Sequence, residues 1–132
     1  MIKEITQFVA NKLTLTIGTD IYTGHRPLDS NDNCHCVMIR TPGESFHELP
    51  KFYNISVQIL TRNAVYMDCH NAAWAIYEVL QGYNRENLPV VESGPAYEIF
   101  TITAIGVPAY IGQDDTLRFE YSANYIFRMN KI

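Results

Sequence analysis

The last third of the chain carries its cleanest alternation. Over Leu117–Phe127, the residues Leu117, Phe119, Tyr121, Ala123, Tyr125 and Phe127 fall on one side of an extended chain, and Arg118, Glu120, Ser122 and Asn124 fall on the other. A period of two with this polarity predicts a strand whose sheet buries one face. Tyr53, Ile55, Val57 and Ile59 alternate with Asn54, Ser56 and Gln58 in the same way, so a strand is predicted over Phe52–Thr61. Tyr97–Ile105 is apolar on both sides, Ile99 and Ile105 against Phe100 and Ile102, which fits a strand nearer the middle of a sheet. Shorter strands are predicted at Ile21–Thr23 and His35–Arg40.

Two segments carry helical period instead. Ile2, Ile5, Val9 and Leu13 recur with Phe8 beside them while Lys3, Gln7 and Lys12 face away, and Gly18 with Thr19-Asp20 is expected to end this helix. In Asn63–Gln81 the core stripe is Val65, Cys69, Ala72, Ile76, Val79 and Leu80, with Gly82 as the C-cap. A second stripe runs beside it, Tyr66, His70, Trp74 and Tyr77, while Asp68, Asn71 and Glu78 take the remaining face. That second stripe has two readings. It is either the flank of a wide core-facing helix that keeps its Tyr and Trp polar tips wet, or a contact surface for a neighbouring subunit, since Tyr and Trp are enriched in such patches.

Gly24–Asn33, Thr41–Pro50 and Tyr83–Pro95 are rich in turn-formers and read as loops, and Pro108–Asp115 reads as the wide loop of a hairpin made by the last two strands. The order α, β, β, β, α, β, β predicts an α+β fold: a mainly antiparallel sheet of four to five strands with two helices packed on it, a two-layer sandwich. Repeats, low-complexity tracts and linkers are absent from the sequence, so a single domain over residues 1–132 is expected.

Composition removes several functional classes. At 132 residues with 47% apolar and 18% charged positions, the chain has the make-up of a folded globular domain. A formal charge of -4 and the lack of any basic run argue against tight binding to a phosphate backbone. The start of the chain carries Lys3 and Glu4 and has no uninterrupted apolar stretch, so neither a signal peptide nor a membrane span is expected there. Three cysteines without a secretion signal point to reduced thiols in a cytosol-type compartment.

Candidate chemistry is thin. Cys34-His35-Cys36 and Cys69-His70 contain zinc-type ligands, but Cys34 and Cys36 on a strand share one face, and Cys69 lies in the core stripe, where a thiol acts as a small hydrophobe. Ser45 with His47 and Cys69 with His70 are merely sequence neighbours, and no nucleophile elbow or glycine-rich phosphate loop is present. Asp114-Asp115 could pair as carboxylates for metal or acid–base work, although a Gly-Gln-Asp-Asp turn is more ordinarily a solvated one. His25 and His47 sit in polar loops and are expected to be exposed. The expectation is a protein without catalytic activity and without cofactor or metal.

The sequence resembles the tail-terminator or tail-completion (minor capsid) proteins of long-tailed bacteriophages. The resemblance rests on the order of elements over nearly the whole chain, on Asp20-Ile21-Tyr22 after the opening helix, on Gly24 and Pro27, and on the Tyr53–Gln58 strand with the helix behind it. Its most specific part is Pro108-Ala109-Tyr110-Ile111-Gly112-Gln113-Asp114-Asp115 leading to Phe119-Glu120-Tyr121 and Asn124-Tyr125. Where the family pattern often has a glycine before the last strand, this chain has Thr116-Leu117. The resemblance implies a homo-oligomeric ring, a hexamer, that sits on the end of the tail tube, stops its polymerisation and joins tail to head. It further implies a tail tube protein and a head–tail connector protein as partners, DNA passing through without specific binding, no membrane, and a place in the virion tail after assembly in the bacterial host cytoplasm. On that footing the loops Asp29–Asn33 and Tyr110–Asp115 are expected to dock onto partners, through Asp29, Asn31, Asp32, Tyr110, Gln113, Asp114 and Asp115, with Tyr66, His70, Trp74 and Tyr77 as the contact between subunits. The rival readings are a head-completion or tail-tube-like subunit and a small Cys/His metal-binding or enzymatic domain.

Overall fold

The computed structural model describes the backbone of residues 1–27, 30–40, 44–46 and 49–132, and the side chains in those ranges except at 44–46, 49–51 and 84. Helix α1 spans Ile2–Leu13 and helix α2 spans Tyr66–Leu80. The strands are β1 (Ile21–Thr23), β2 (Cys34–Ile39), β3 (Glu44–Phe46), β4 (Leu49–Asn63), β5 (Asn84–Asn87), β6 (Tyr97–Ala104), β7 (Ala109–Gln113) and β8 (Phe119–Lys131). All eight join one sheet in the order β1-β2-β4-β8-β6-β5, with β3 also on β4 and β7 also on β8. Among the named strands of the described residues, β1–β2 alone is a parallel pair.

The fold is α+β, as the pattern of elements predicts, but the sheet has eight strands where four to five are expected. The three missing from the sequence reading are short. β3 lies in the expected loop Thr41–Pro50, and β5, Asn-Arg-Glu-Asn, lies in the expected loop Tyr83–Pro95. β7 occupies most of the expected loop Pro108–Asp115 and is exposed or half-exposed throughout. Such strands exist because a long neighbour offers unpaired backbone groups, and a residue pattern cannot signal that.

Both helices cover the same face. Ile5, Phe8 and Val9 of α1, Ile76 and Leu80 of α2, Ile55, Val57 and Ile59 of β4, and Tyr125, Phe127 and Met129 of β8 form one buried cluster. The β4–β8 ladder is its spine, unbroken from Phe52↔Asn130 to Asn63↔Phe119. Strand β6 reconciles its doubly apolar sequence through a bulge. Register slips between Ile99 and Thr101, so Ile99 and Ile102, three residues apart, both turn inward at 0% exposure. Phe100 is left to stack on Phe52, with ring centroids 5.0 Å apart.

The last strand begins at Phe119, not at the expected Leu117, which lies in the preceding turn and is 70% exposed, and both helices also depart from expectation. α1 stops at Leu13, because Thr14 adopts the left-handed conformation at φ 55, well before Gly18. The core stripe of α2 is Cys69, Ala73, Ile76 and Leu80; Val65 is the N-cap residue and 53% exposed, so Ala73 takes the inward position expected of Ala72. Gly82, one residue beyond the Gln81 cap, sits at φ +73.

Candidate assembly surface

β7 and β8 form a hairpin that projects past the end of β6, and Asp114 organises its tip. The Asp114 Oδ1 accepts from the amide of Thr116 at 3.0 Å, from the Thr116 hydroxyl at 3.0 Å and from the amide of Arg118 at 2.9 Å. The Arg118 Nε donates to Oδ2 at 2.8 Å. Burial opposes the charge on Asp114, but these donors outweigh it and hold the carboxyl down at about 2. Asp114 is therefore a structural anion, not a solvated turn residue, whereas Asp115 beside it is exposed. Leu117 stands at φ 63 in this turn, in the place where a glycine would relax, and its side chain is 70% exposed.

The second predicted docking loop meets the first. Arg118 also reaches Asp32 with Nη1 at 3.0 Å. Arg62, 6% exposed at the end of β4, donates from Nε to the carbonyl of Asp32, from Nη2 to the Ser30 hydroxyl and the Asn31 carbonyl, and lies 3.9 Å from Asp114. Asn33 accepts from the amide of Ala64 at 3.0 Å, tying the same loop to the approach of α2. Arg26 adds a 2.6 Å ion pair to Glu120. Two loops that read as separate in sequence are thus one clasped unit at one end of the sheet. Asn31 and Asp32 stand on its surface with Gln113 and Asp115, while Asp29 lies outside the described residues.

The opposite side of the same hairpin is aromatic. Tyr66, at the start of α2, has its ring 5.4 Å from that of Tyr110 and 5.5 Å from that of Phe119. Its hydroxyl accepts from Tyr121 at 2.8 Å. Burial and that hydrogen bond push the Tyr121 phenol up to about 12. His70 lies edge-on to Tyr121 at 5.7 Å and beside Trp74 at 5.9 Å, and Trp74 meets Tyr77 at 5.1 Å. The helix stripe predicted from spacing is a continuous line of rings, exposed at Tyr66 and half-buried from His70 to Tyr77, that runs on into the hairpin.

Sequence reasoning missed Arg62, Arg118, Tyr121 and Leu117. Arg62 and Arg118 are lone cations on strand ends, and their partners lie 30 and 86 residues away along the chain. The one available signal was the missing glycine at Thr116-Leu117.

The cysteines do not assemble a centre. Cys34, Cys36 and Cys69 are free and buried, and burial raises Cys36 and pushes Cys69 up to about 11. His35 turns to the other face of β2, where its Nδ1 lies 2.8 Å from the Thr61 hydroxyl, and burial lowers it to about 4. Among the described residues no three His, Cys, Asp or Glu side chains are placed to hold a metal ion. His25 is exposed, and the Ser45 and His47 side chains lie outside the described ones. No helix among the described residues is long and apolar enough to cross a membrane.

No curated protein matches the chain. The sequence profile of the family described as bacteriophage tail terminator protein matches residues 8–131. With nearly its whole length inside that match, the chain belongs to the bacteriophage tail terminator family, a structural family of the virion tail.

Proposed function

We propose that this chain caps a finished tail tube as a homo-oligomeric ring, a hexamer, ends tube polymerisation and joins the tail to the head's connector protein. Family membership supplies the class of part. The observation that carries the reading is the clasped end: two loops drawn together by Arg62 and Arg118 give a preformed, polar surface on a rigid sheet. Loops held on such a scaffold suit docking better than loops that must first be ordered.

In this reading the whole chain acts as one domain, and its work is contact between surfaces, not bond-making. Identical copies arranged head to tail close a ring when the rotation between them allows it. A net charge of -4 lets such a ring surround passing DNA without gripping its phosphates. Assembly takes place in the host cytoplasm and the product stays in the virion tail.

The test is to add purified protein to polymerising tail tube subunits and image the mixture by electron microscopy. Tubes should stop growing and carry a ring at one end. Unchecked elongation with bare ends would reject the capping role. Asp115→Lys together with Asn31→Lys, both at exposed positions, should leave tube capping intact and reduce joining to heads; normal head–tail particles from this variant would remove the loops from the head contact.

A further inference from the structure

We infer that successive copies in the ring meet edge to edge, with the β7 edge of one copy seated in a groove at the β1 edge of the next; this rests on the ring reading above. The register of the sheet puts these two places at opposite ends of a single transverse row, Ile21↔His35↔Thr61↔Tyr121↔Tyr110. That row crosses five strands, so the two edges stand about 19 Å apart in one copy. A contact between different surfaces at opposite ends of a subunit is head-to-tail by construction, the kind that closes rings.

Exposed apolar residues stand at both of these ends. On the β7 side, Tyr110 is 45% exposed, Ile111 53% and Val107 55%, and Met67 at the adjoining start of α2 is 55% exposed. A register slip between Tyr110 and Gly112 makes Ile111 the bulged residue, and Gly112 at φ +121 permits it. Among the described residues strand β7 pairs only with β8, leaving its outer edge without a strand partner there. At the β1 side, Ile17 is 44% exposed. Ile17 lines a groove of about 330 Å³ with Thr23, Val91 and the Lys3–Glu92 ion pair, large enough to take a side chain the size of isoleucine. Main-chain pairing along β1 is not the basis of the fit, because the outer groups of Ile21 are already bonded to Thr16 and Gly18. The contact is side chain into groove. An apolar patch on one edge, and on the other a groove with Ile17 and Val91 in its wall, give a second copy of the chain a place to seat.

The double variant Ile111→Cys with Ile17→Cys tests this on protein assembled at tail tubes. The two positions are too far apart to bridge within a chain, and Cys34, Cys36 and Cys69 are 3%, 2% and 0% exposed and will not compete. Mild oxidation should give a ladder of covalent oligomers, and neither single variant should give even a dimer. Dimers from Ile111→Cys alone would show a two-fold contact and overturn the proposal. A ring visible with the unmodified chain but no ladder from the double variant would overturn it while leaving the ring; absence of any ring would remove the ring reading itself.

Discussion

Arg118 donates to Asp32 across 86 residues of sequence, at 3.0 Å, with the same guanidinium that holds Asp114 within its own hairpin. The Asp32 arm is worth little by itself, about 0.5 kcal/mol, because that carboxylate is 67% exposed. The Asp114 arm is more sheltered, at 19%. Arg118→Met should therefore cost about 1–2 kcal/mol in urea denaturation, and should speed amide exchange at residues 30–33 with little change in the core strands. Unaltered exchange there would mean that Arg62 alone holds the loop.

Replacing Arg62 is the harsher change. Its loss strips donors from Ser30, Asn31 and Asp32 at once and leaves Asp114 with one cation fewer. Arg62→Met should cost about 2–3 kcal/mol, and a double variant with Arg118→Met should cost less than the sum, because the two share Asp32 and Asp114. Strict additivity would show that the clasp is two independent contacts.

Acid should weaken the fold in two stages. His35 is lowered from 6.5 to about 4, so it stays neutral when folded, and its contribution is complete above pH 6.5 and lost as pH falls from 6.5 to 4. Asp114 is lowered from 3.8 to about 2, so its contribution is complete above pH 4 and lost between pH 4 and 2. The upper limits are about 3 and about 2 kcal/mol. Stability measured by urea at pH 7.5, 5 and 3 should fall at each step. His35→Gln should flatten the upper window and Asp114→Asn the lower; a variant that keeps the slope in its own window assigns it to another group.

Leu117 at φ 63 is strained and mostly in water, so its side chain gives little in return. Leu117→Gly should raise stability by about 0.5–1 kcal/mol, the relief of left-handed strain less the added freedom of the unfolded chain. A fall in melting temperature would mean that the leucine makes contacts stronger than its exposure indicates.

Two neighbours in β8 should respond in opposite ways. The Tyr125 hydroxyl is fully enclosed with no hydrogen-bond partner among the described residues, so Tyr125→Phe should be neutral or stabilising by up to about 1 kcal/mol. Phe127, also at 0% exposure, is surrounded by core side chains, and Phe127→Ala should cost about 3–5 kcal/mol. A marked loss from Tyr125→Phe would show that the hydroxyl is bonded.

The strands legible in the sequence were those with a buried face of their own, such as Tyr53–Ile59 and the Phe119–Phe127 part of the last strand, because periodicity records burial. β5 and β7 left no such mark, since their place is fixed by free backbone groups on β6 and β8. The ring stripe from Tyr66 to Tyr77 was legible from spacing within one helix; its continuation through Tyr110, Phe119 and Tyr121 was not, because it crosses elements. The clasp was hidden for the same reason. Arg62, Asp32, Asp114 and Arg118 become neighbours only once β4 and β8 are in register, and nothing local announces that pairing.

The β4–β8 ladder has a mechanical consequence. Twelve residue pairs run unbroken along it, and the hairpin tip is the direct extension of β8. Force applied at the tip along the strand axis loads these hydrogen bonds in shear, so they resist together, whereas the four-residue strand β5 can be peeled away one bond at a time. Load along the direction in which the clasped end points is thus borne by many hydrogen bonds at once, and load at the far margin of the sheet by one at a time.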